Sequence, residues 1–97
     1  MKVKAHVTFL ASDAGGHAKP VLPGIRPQFK VGDFFTSSVV LPVEDVKVFE
    51  RDVPYQVLIE LPFGSHYRGQ ISVGAAVQLN DGSRVIGTGV LEEVIES

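Results

Sequence analysis

Residues 24–29 read Gly24-Ile25-Arg26-Pro27-Gln28-Phe29, and this stretch is the most informative part of the chain for the fold. Proline fixes its own φ angle and has no N–H to donate, so Pro27 suits the beginning of an edge strand. Because side chains alternate across a strand, Phe29 is expected in the core, with Arg26 and Gln28 on the outer side. Structure alone explains the proline and the phenylalanine. The arginine and glutamine also suit binding to phosphate, sugar or a partner's carbonyl groups.

Alternating apolar and polar residues on both sides of this stretch indicate an all-β chain. The apolar rows run from Val3 to Ala11, from Val53 to Leu61 and from Ile71 to Leu79, with a shorter row from Phe35 to Leu41 and a last strand from about Arg84 to Ile95. No segment shows a convincing helical period. Glycines inside the last strand, Gly87 and Gly89, would weaken it unless they allow a bulge, a bend or the close approach of another backbone.

Turn signals separate the rows. The sequence Asn80-Asp81-Gly82-Ser83 predicts a hairpin, since Asp-Gly readily supplies the positive φ of a primed turn. Residues 12–24 contain two prolines and three glycines and are expected to form a loop. Short strands with frequent turns favour a sandwich or a barrel, and closure removes exposed edges. The expected fold is a single all-β domain over residues 1–97, a small closed antiparallel β-barrel of about six strands.

Composition limits the classes of protein that fit. A chain of 97 residues that is 44% hydrophobic can form one core. It has no cysteine, which excludes disulfides and thiolate zinc sites. Neither a signal peptide nor a stretch long enough to span a bilayer is visible, so a cytoplasmic protein without a membrane partner is expected.

Charge is unevenly spread along the chain. The formal net charge of −2 argues against a globally basic nucleic-acid binder. Residues 1–35 nevertheless hold five basic residues against two acidic ones, a net of +3, while residues 43–60 hold two basic against five acidic, a net of −3. A local basic patch near the first loop is therefore compatible with the sequence.

No pattern indicates catalysis. The phosphate-binding signature of nucleotide hydrolases is missing, so no GTP binding by this chain is expected. The three histidines, His6, His17 and His66, lack metal-ligand spacing. Gly64-Ser65-His66 lacks the frame of a nucleophile elbow, and Glu92-Glu93 would point to opposite faces of a strand. We therefore expect no enzyme activity, no cofactor and no metal site.

A set of short motifs in fixed order resembles the third domain of elongation factor Tu, the β-barrel at the C-terminal end of that translational GTPase. The motifs are Gly15-Gly16 with Pro20, Gly24 with the Arg26-to-Phe29 stretch, Leu41-Pro42, and Gly82 with Arg84, Gly87, Gly89 and Val90. The resemblance covers essentially the whole chain. It implies a stand-alone barrel of the Greek-key type, like the C-terminal domain of translational GTPases. The segment from Pro62 to Ala76 is several residues longer than in the family.

In that family the barrel packs against the GTPase domain, contacts the T-stem of aminoacyl-tRNA and contributes to binding the exchange factor Ts. Carried over by position, the resemblance implies these binding residues: Gly16, His17, Lys19, Arg26, Gln28, Asp81, Gly82 and Arg84. The leading hypothesis is a non-enzymatic, translation-related binding module that docks a protein partner or structured RNA such as tRNA.

Two other classes of function stay open from the sequence. The chain is alternatively a structural or oligomerisation subunit without a nucleic-acid role, pairing through an exposed sheet edge or through the loop from Pro62 to Arg68. A small-molecule site is the weakest alternative, because small barrels fill their interior with side chains. The sequence leaves the oligomeric state open.

Overall fold

Seven strands form the framework of the computed structural model, which describes residues 1–11 and 20–96. They are β1 (Lys2–Phe9), β2 (Gln28–Val31), β3 (Phe34–Ser37), β4 (Val39–Pro42), β5 (Pro54–Glu60), β6 (Ala76–Asp81) and β7 (Arg84–Glu96). A 3-10 helix, Gly64–Gln70, lies between β5 and β6. No helix in the described ranges has the length and apolar character needed to cross a bilayer. The expectation of an antiparallel all-β chain is confirmed.

The strands form one sheet in the order β3-β2-β6-β7-β1-β5-β4, and every strand pair in it is antiparallel. The sheet is broadly β-barrel-like, as expected, but it is not the closed six-strand barrel that the sequence predicted. Seven strands curl into a half-barrel whose edges, β3 and β4, are not paired with each other in the described residues. Only Ser38 separates these two strands in the chain, so the backbone passes from one edge to the other instead of pairing them.

The outer edge of β4 is covered by the segment just before Arg26. The Gly24 N–H donates to the Val40 carbonyl at 2.8 Å, and the Val40 N–H donates to the Ile25 carbonyl at 2.9 Å. This bridge fixes the chain that leads into β2. The expectation that Pro27 begins an edge strand is also wrong, because β2 lies between β3 and β6. Pro27 precedes the ladder, so its missing N–H costs no hydrogen bond there.

The inner face of the sheet forms the core. Along β1 every second residue is fully buried, as the alternation predicted. Burying such a side chain contributes about 1.5–3 kcal/mol. The largest fully buried side chains include those of Phe9, Phe29, Phe49, Ile59, Leu61, Leu79, Ile86 and Leu91.

The region from Gly64 to Ala75 differs most from the sequence prediction. The alternation from Ile71 predicted a strand, whereas β6 begins at Ala76. The 3-10 helix comes first and is held by tertiary contact, since the Tyr67 ring stacks on Phe34 with centroids 4.2 Å apart. A turn follows at Gly74, whose φ of 88° suits glycine.

Candidate binding site

A cleft of about 440 Å³ opens where the segment before β2 meets the β6–β7 hairpin. Its lining residues are Ile25, Arg26, Pro27, Gln28, Asn80, Asp81, Gly82 and Ile86. Four of them, Arg26, Gln28, Asp81 and Gly82, were predicted as binding residues from two segments far apart in the sequence. The antiparallel pairing of β2 with β6, in which Gln28 lies opposite Asn80, brings these segments together.

Buried contacts hold the first wall of the cleft in place. Pro27 is buried, and its carbonyl oxygen accepts a 2.7 Å hydrogen bond from the Ser38 hydroxyl. Phe29 is fully buried on the core side of β2. Arg26 and Gln28 are exposed, as predicted. The backbone is therefore fixed on its inner side while two polar side chains face outward.

The second wall is a tight hairpin. Asp81 pairs with Arg84, which leaves Gly82 and Ser83 as a two-residue loop. Gly82 has a φ of 63°, whereas Ser83 is not in the positive-φ region. Positive φ at the first central residue alone is typical of a type II′ turn. The hairpin predicted from Asp81-Gly82 is confirmed, and its conformation depends on the glycine.

A bulge beside this hairpin determines which residues face the cleft. Leu79 pairs with Gly87 but Asn80 pairs with Val85, so Ile86 is the extra residue on β7. The Ile86 carbonyl accepts a 2.9 Å hydrogen bond from the Leu10 N–H, which anchors the bulge to the end of β1. Bulges re-aim side chains, and they are over-represented next to functional sites.

Asn80 is the functional candidate that sequence reasoning missed. It is only 7% exposed, although it alternates with the core residue Leu79 and so belongs to the outer face. Its Oδ1 atom is buried without a hydrogen-bond partner among the described residues. Such an unsatisfied group costs about 1–3 kcal/mol. The alternation predicts an exposed turn residue at this position, and no sequence signal reveals its burial.

A second cleft of about 520 Å³ continues along the outer face of β2 and β6. It shares Gln28, Asn80 and Gly82 with the first cleft, and its other lining residues are Lys30, Phe35, Gln78, Ser83 and Val85. The Lys30 ammonium lies 5.4 Å from the centre of the Phe35 ring, a cation–π distance. Asn80 therefore stands in the wall common to both clefts.

Cations outnumber anions on this face. Arg26 lines the first cleft and Lys30 lines the second, and Arg84 lies opposite Asp81 at the hairpin. Among the described residues, the charged side chains that line the two clefts are Arg26, Lys30 and Asp81, a net charge of +1, and Arg84 adds a third cation beside the hairpin. The formal net charge of the whole chain is −2. The basic patch predicted near the first loop falls largely on residues 12–19, outside the described residues, and the cations found here include Arg84 from the far end of the chain.

The other residues singled out in the sequence lie outside the two clefts or outside the described residues. Arg84 sits beside the hairpin turn but does not line either cleft. Gly16, His17 and Lys19 lie outside the described residues. His6 is exposed on β1 and His66 is exposed in the 3-10 helix. In the part of the chain that the structure describes, no three His, Asp or Glu residues lie close enough to hold a metal ion.

A scan of the chain against models of known protein families finds no match.

Proposed function

We propose that this protein is a non-enzymatic binding module, similar to the third domain of elongation factor Tu, with a translation-related role in the cytoplasm. It docks a macromolecular partner through the first cleft, and structured RNA such as tRNA fits the site better than a protein does. The supporting observation is that one cleft gathers Arg26, Gln28, Asp81 and Gly82, which the resemblance to that domain implies as binding residues.

The polar groups of the cleft match a sugar–phosphate unit. The guanidinium of Arg26 presents a planar set of donors suited to a phosphate. The Gln28 amide has N–H donors for phosphate and sugar-ring oxygens. A-form RNA exposes hydroxyls and phosphates side by side across its wide minor groove. The site therefore suits recognition of a folded RNA backbone without reading of bases.

The number of cations sets the expected strength of this binding. Each neutralised phosphate contributes about 0.7–0.9 to the slope of log K against log salt concentration. Arg26, Lys30 and Arg84 together would give a slope of roughly −2 to −3 by that rule. Binding should thus be weak at physiological salt and clear at low salt. Avidity from additional domains or a second partner would raise it.

The test is a titration of the protein with total tRNA at low salt, followed by gel shift or calorimetry. Wild type should bind, and the double variant Arg26→Ala/Gln28→Ala should lose most of the affinity. The matched control is Lys47→Ala/Gln56→Ala, which removes the same kinds of group outside both clefts. Absence of salt-dependent binding by wild type would overturn the RNA proposal. Equal affinity of the two double variants would show that the cleft is not the site.

A second candidate function, an oligomerisation subunit, is favoured by the free edge of the sheet. Strand β3 has β2 as its single neighbour in the described residues, and Phe35 on it is 48% exposed. An open edge with an exposed aromatic ring is a template for pairing with another strand. Sedimentation velocity at several concentrations separates this function from the first. A monomer at all concentrations would contradict it.

A further inference from the structure

We propose that the side-chain amide of Asn80 reads the 2′-hydroxyl of a ribose in the cleft and gives the protein a preference for RNA over DNA. This inference rests on the proposed RNA-binding function and adds to it the residue that recognises the sugar. In this proposal two side chains of the site have different roles. Arg26 binds the phosphate, which RNA and DNA share, and Asn80 distinguishes the sugars.

The inference rests on the unsatisfied amide oxygen of Asn80. The side chain stands in the wall common to the two clefts, and Oδ1 has no hydrogen-bond partner among the described residues. Its cross-strand neighbours are Gln28, which is exposed, and Val85, which has no polar side-chain atom. The protein thus holds a buried acceptor beside an open cleft without supplying a donor to it. A native core normally satisfies its buried polar groups, so an exception calls for an external partner.

The chemistry of the missing donor limits which ligands suit the cleft. It must belong to a group that lies close to a phosphate, because Arg26 lines the same cleft. A ribose 2′-hydroxyl meets this condition at every nucleotide of an RNA strand, whereas a deoxyribose carries no donor there. Oδ1 is itself buried, so binding requires a rotation about Cβ–Cγ, a broad torsion in asparagine, that brings Oδ1 to the surface of the cleft. The hydroxyl donates to Oδ1, and the unsatisfied acceptor gains its bond only when RNA is bound.

The experiment compares two forms of one RNA stem–loop, the natural one and one with 2′-fluoro nucleotides in the stem. Fluorine keeps the A-form geometry but has no proton to donate, so helix shape is held constant. Wild type should bind the natural stem about 5- to 10-fold more tightly, the size expected for one hydrogen bond to a buried acceptor. In Asn80→Leu, which keeps the branched shape and removes both polar atoms, this ratio should fall below about two.

Two readouts separate recognition from a structural role. Gln56→Leu makes the same exchange on β5, outside both clefts, and should keep the wild-type ratio. Thermal unfolding of Asn80→Leu should occur at or above the wild-type temperature, because replacing an unsatisfied group by an apolar one of equal shape is neutral or stabilising. If discrimination survives in Asn80→Leu, the assignment is overturned.

The comparison of the two stems also tests the inference with the wild-type protein alone. Equal and measurable affinity for the two stems would overturn the role of Asn80 while leaving the proposed RNA-binding function intact. Absence of binding to either stem at low salt would overturn the proposed function and this inference together. A tighter affinity for the natural stem in wild type, lost in Asn80→Leu, supports both.

Discussion

The Ser38 hydroxyl donates a buried 2.7 Å hydrogen bond to the Pro27 carbonyl oxygen, and this bond ties the corner of the sheet to the cleft. Ser38 is the single residue between β3 and β4, at the point where the chain passes from one sheet edge to the other. Pro27 stands between the two exposed polar side chains of the first wall, Arg26 and Gln28. The same bond therefore stabilises the half-barrel and positions the binding residues.

We predict that Ser38→Ala destabilises the protein by about 1–3 kcal/mol, because the buried Pro27 carbonyl loses its donor. Urea unfolding measures the change. Ser37→Ala is the matched control, since Ser37 is exposed and its replacement should fall within about 0.5 kcal/mol of wild type. Under native conditions Ser38→Ala should also weaken tRNA binding. Equal unfolding free energies for the two serine variants would contradict the assigned role of the bond.

A second prediction concerns the close approach of β7 to β1 at Gly89. A Cβ atom built on Gly89 would overlap the His6 carbonyl oxygen and lie 2.9 Å from Val7 Cγ2. Gly89→Ala should therefore push the two strands apart and destabilise the protein by at least about 2 kcal/mol. Gly69→Ala is the control, since nothing lies within 4 Å of a Cβ at that position. Chemical unfolding of both variants tests this, and a neutral Gly89→Ala would show that β1 and β7 are not packed so closely.

Local patterns in the sequence predicted the parts of the fold that local patterns control. The alternation from Val3 to Phe9 is reproduced as the inner face of β1, and the Asp81-Gly82 turn is reproduced as a hairpin. Of the three roles that the sequence left open for the glycines of the last strand, the close approach of another backbone is found at Gly89. The first two features depend on neighbouring residues alone, through the strand period or through one φ angle, whereas the approach at Gly89 also requires the pairing of β7 with β1.

Features set by long-range contacts were not predictable in this way. Val73 belongs to the same alternating row as Ile71, yet it is 66% exposed whereas Ile71 is buried. The reason is that the 3-10 helix and the turn at Gly74 interrupt the row before β6 begins. Closure was inferred from the general cost of free edges, but the one-residue connection at Ser38 prevents β3 from pairing with β4. A periodicity of two does not indicate where a strand begins or which strand is its neighbour.

In the candidate site, too, local features were predictable and long-range features were not. Arg26 and Gln28 on one side, and Asp81 and Gly82 on the other, were predicted as residues, but their convergence in one cleft depends on the β2–β6 register. Asn80 could not be identified, because the alternation of β6 places it on the outer face and it lies at a bulge that shifts the pairing with β7. Register shifts leave no simple mark in a single sequence.

A third prediction tests the aromatic cluster under the loop between β4 and β5. The ring of Phe49 lies 5.0 Å from that of Phe9 and 5.2 Å from that of Tyr55, and Phe49 is 1% exposed. Phe49→Ala should cost about 3–5 kcal/mol through lost burial and the cavity left behind. Val48→Ala, at a position that is 44% exposed, should change the unfolding free energy little. Similar effects of the two substitutions would show that the loop does not anchor the core.

The last prediction separates the cations of the binding face by their contribution to salt dependence. Arg26→Gln removes one phosphate-binding charge, so the slope of log K for tRNA against log salt concentration should become less steep by about 0.7–0.9. Affinity at low salt should fall as well. Lys47→Gln, which removes a charge outside both clefts, should leave the slope unchanged. Titrations at four or more salt concentrations provide the slopes. If Arg26→Gln and Lys47→Gln shift the slope equally, the protein attracts RNA through its overall charge and not through the cleft.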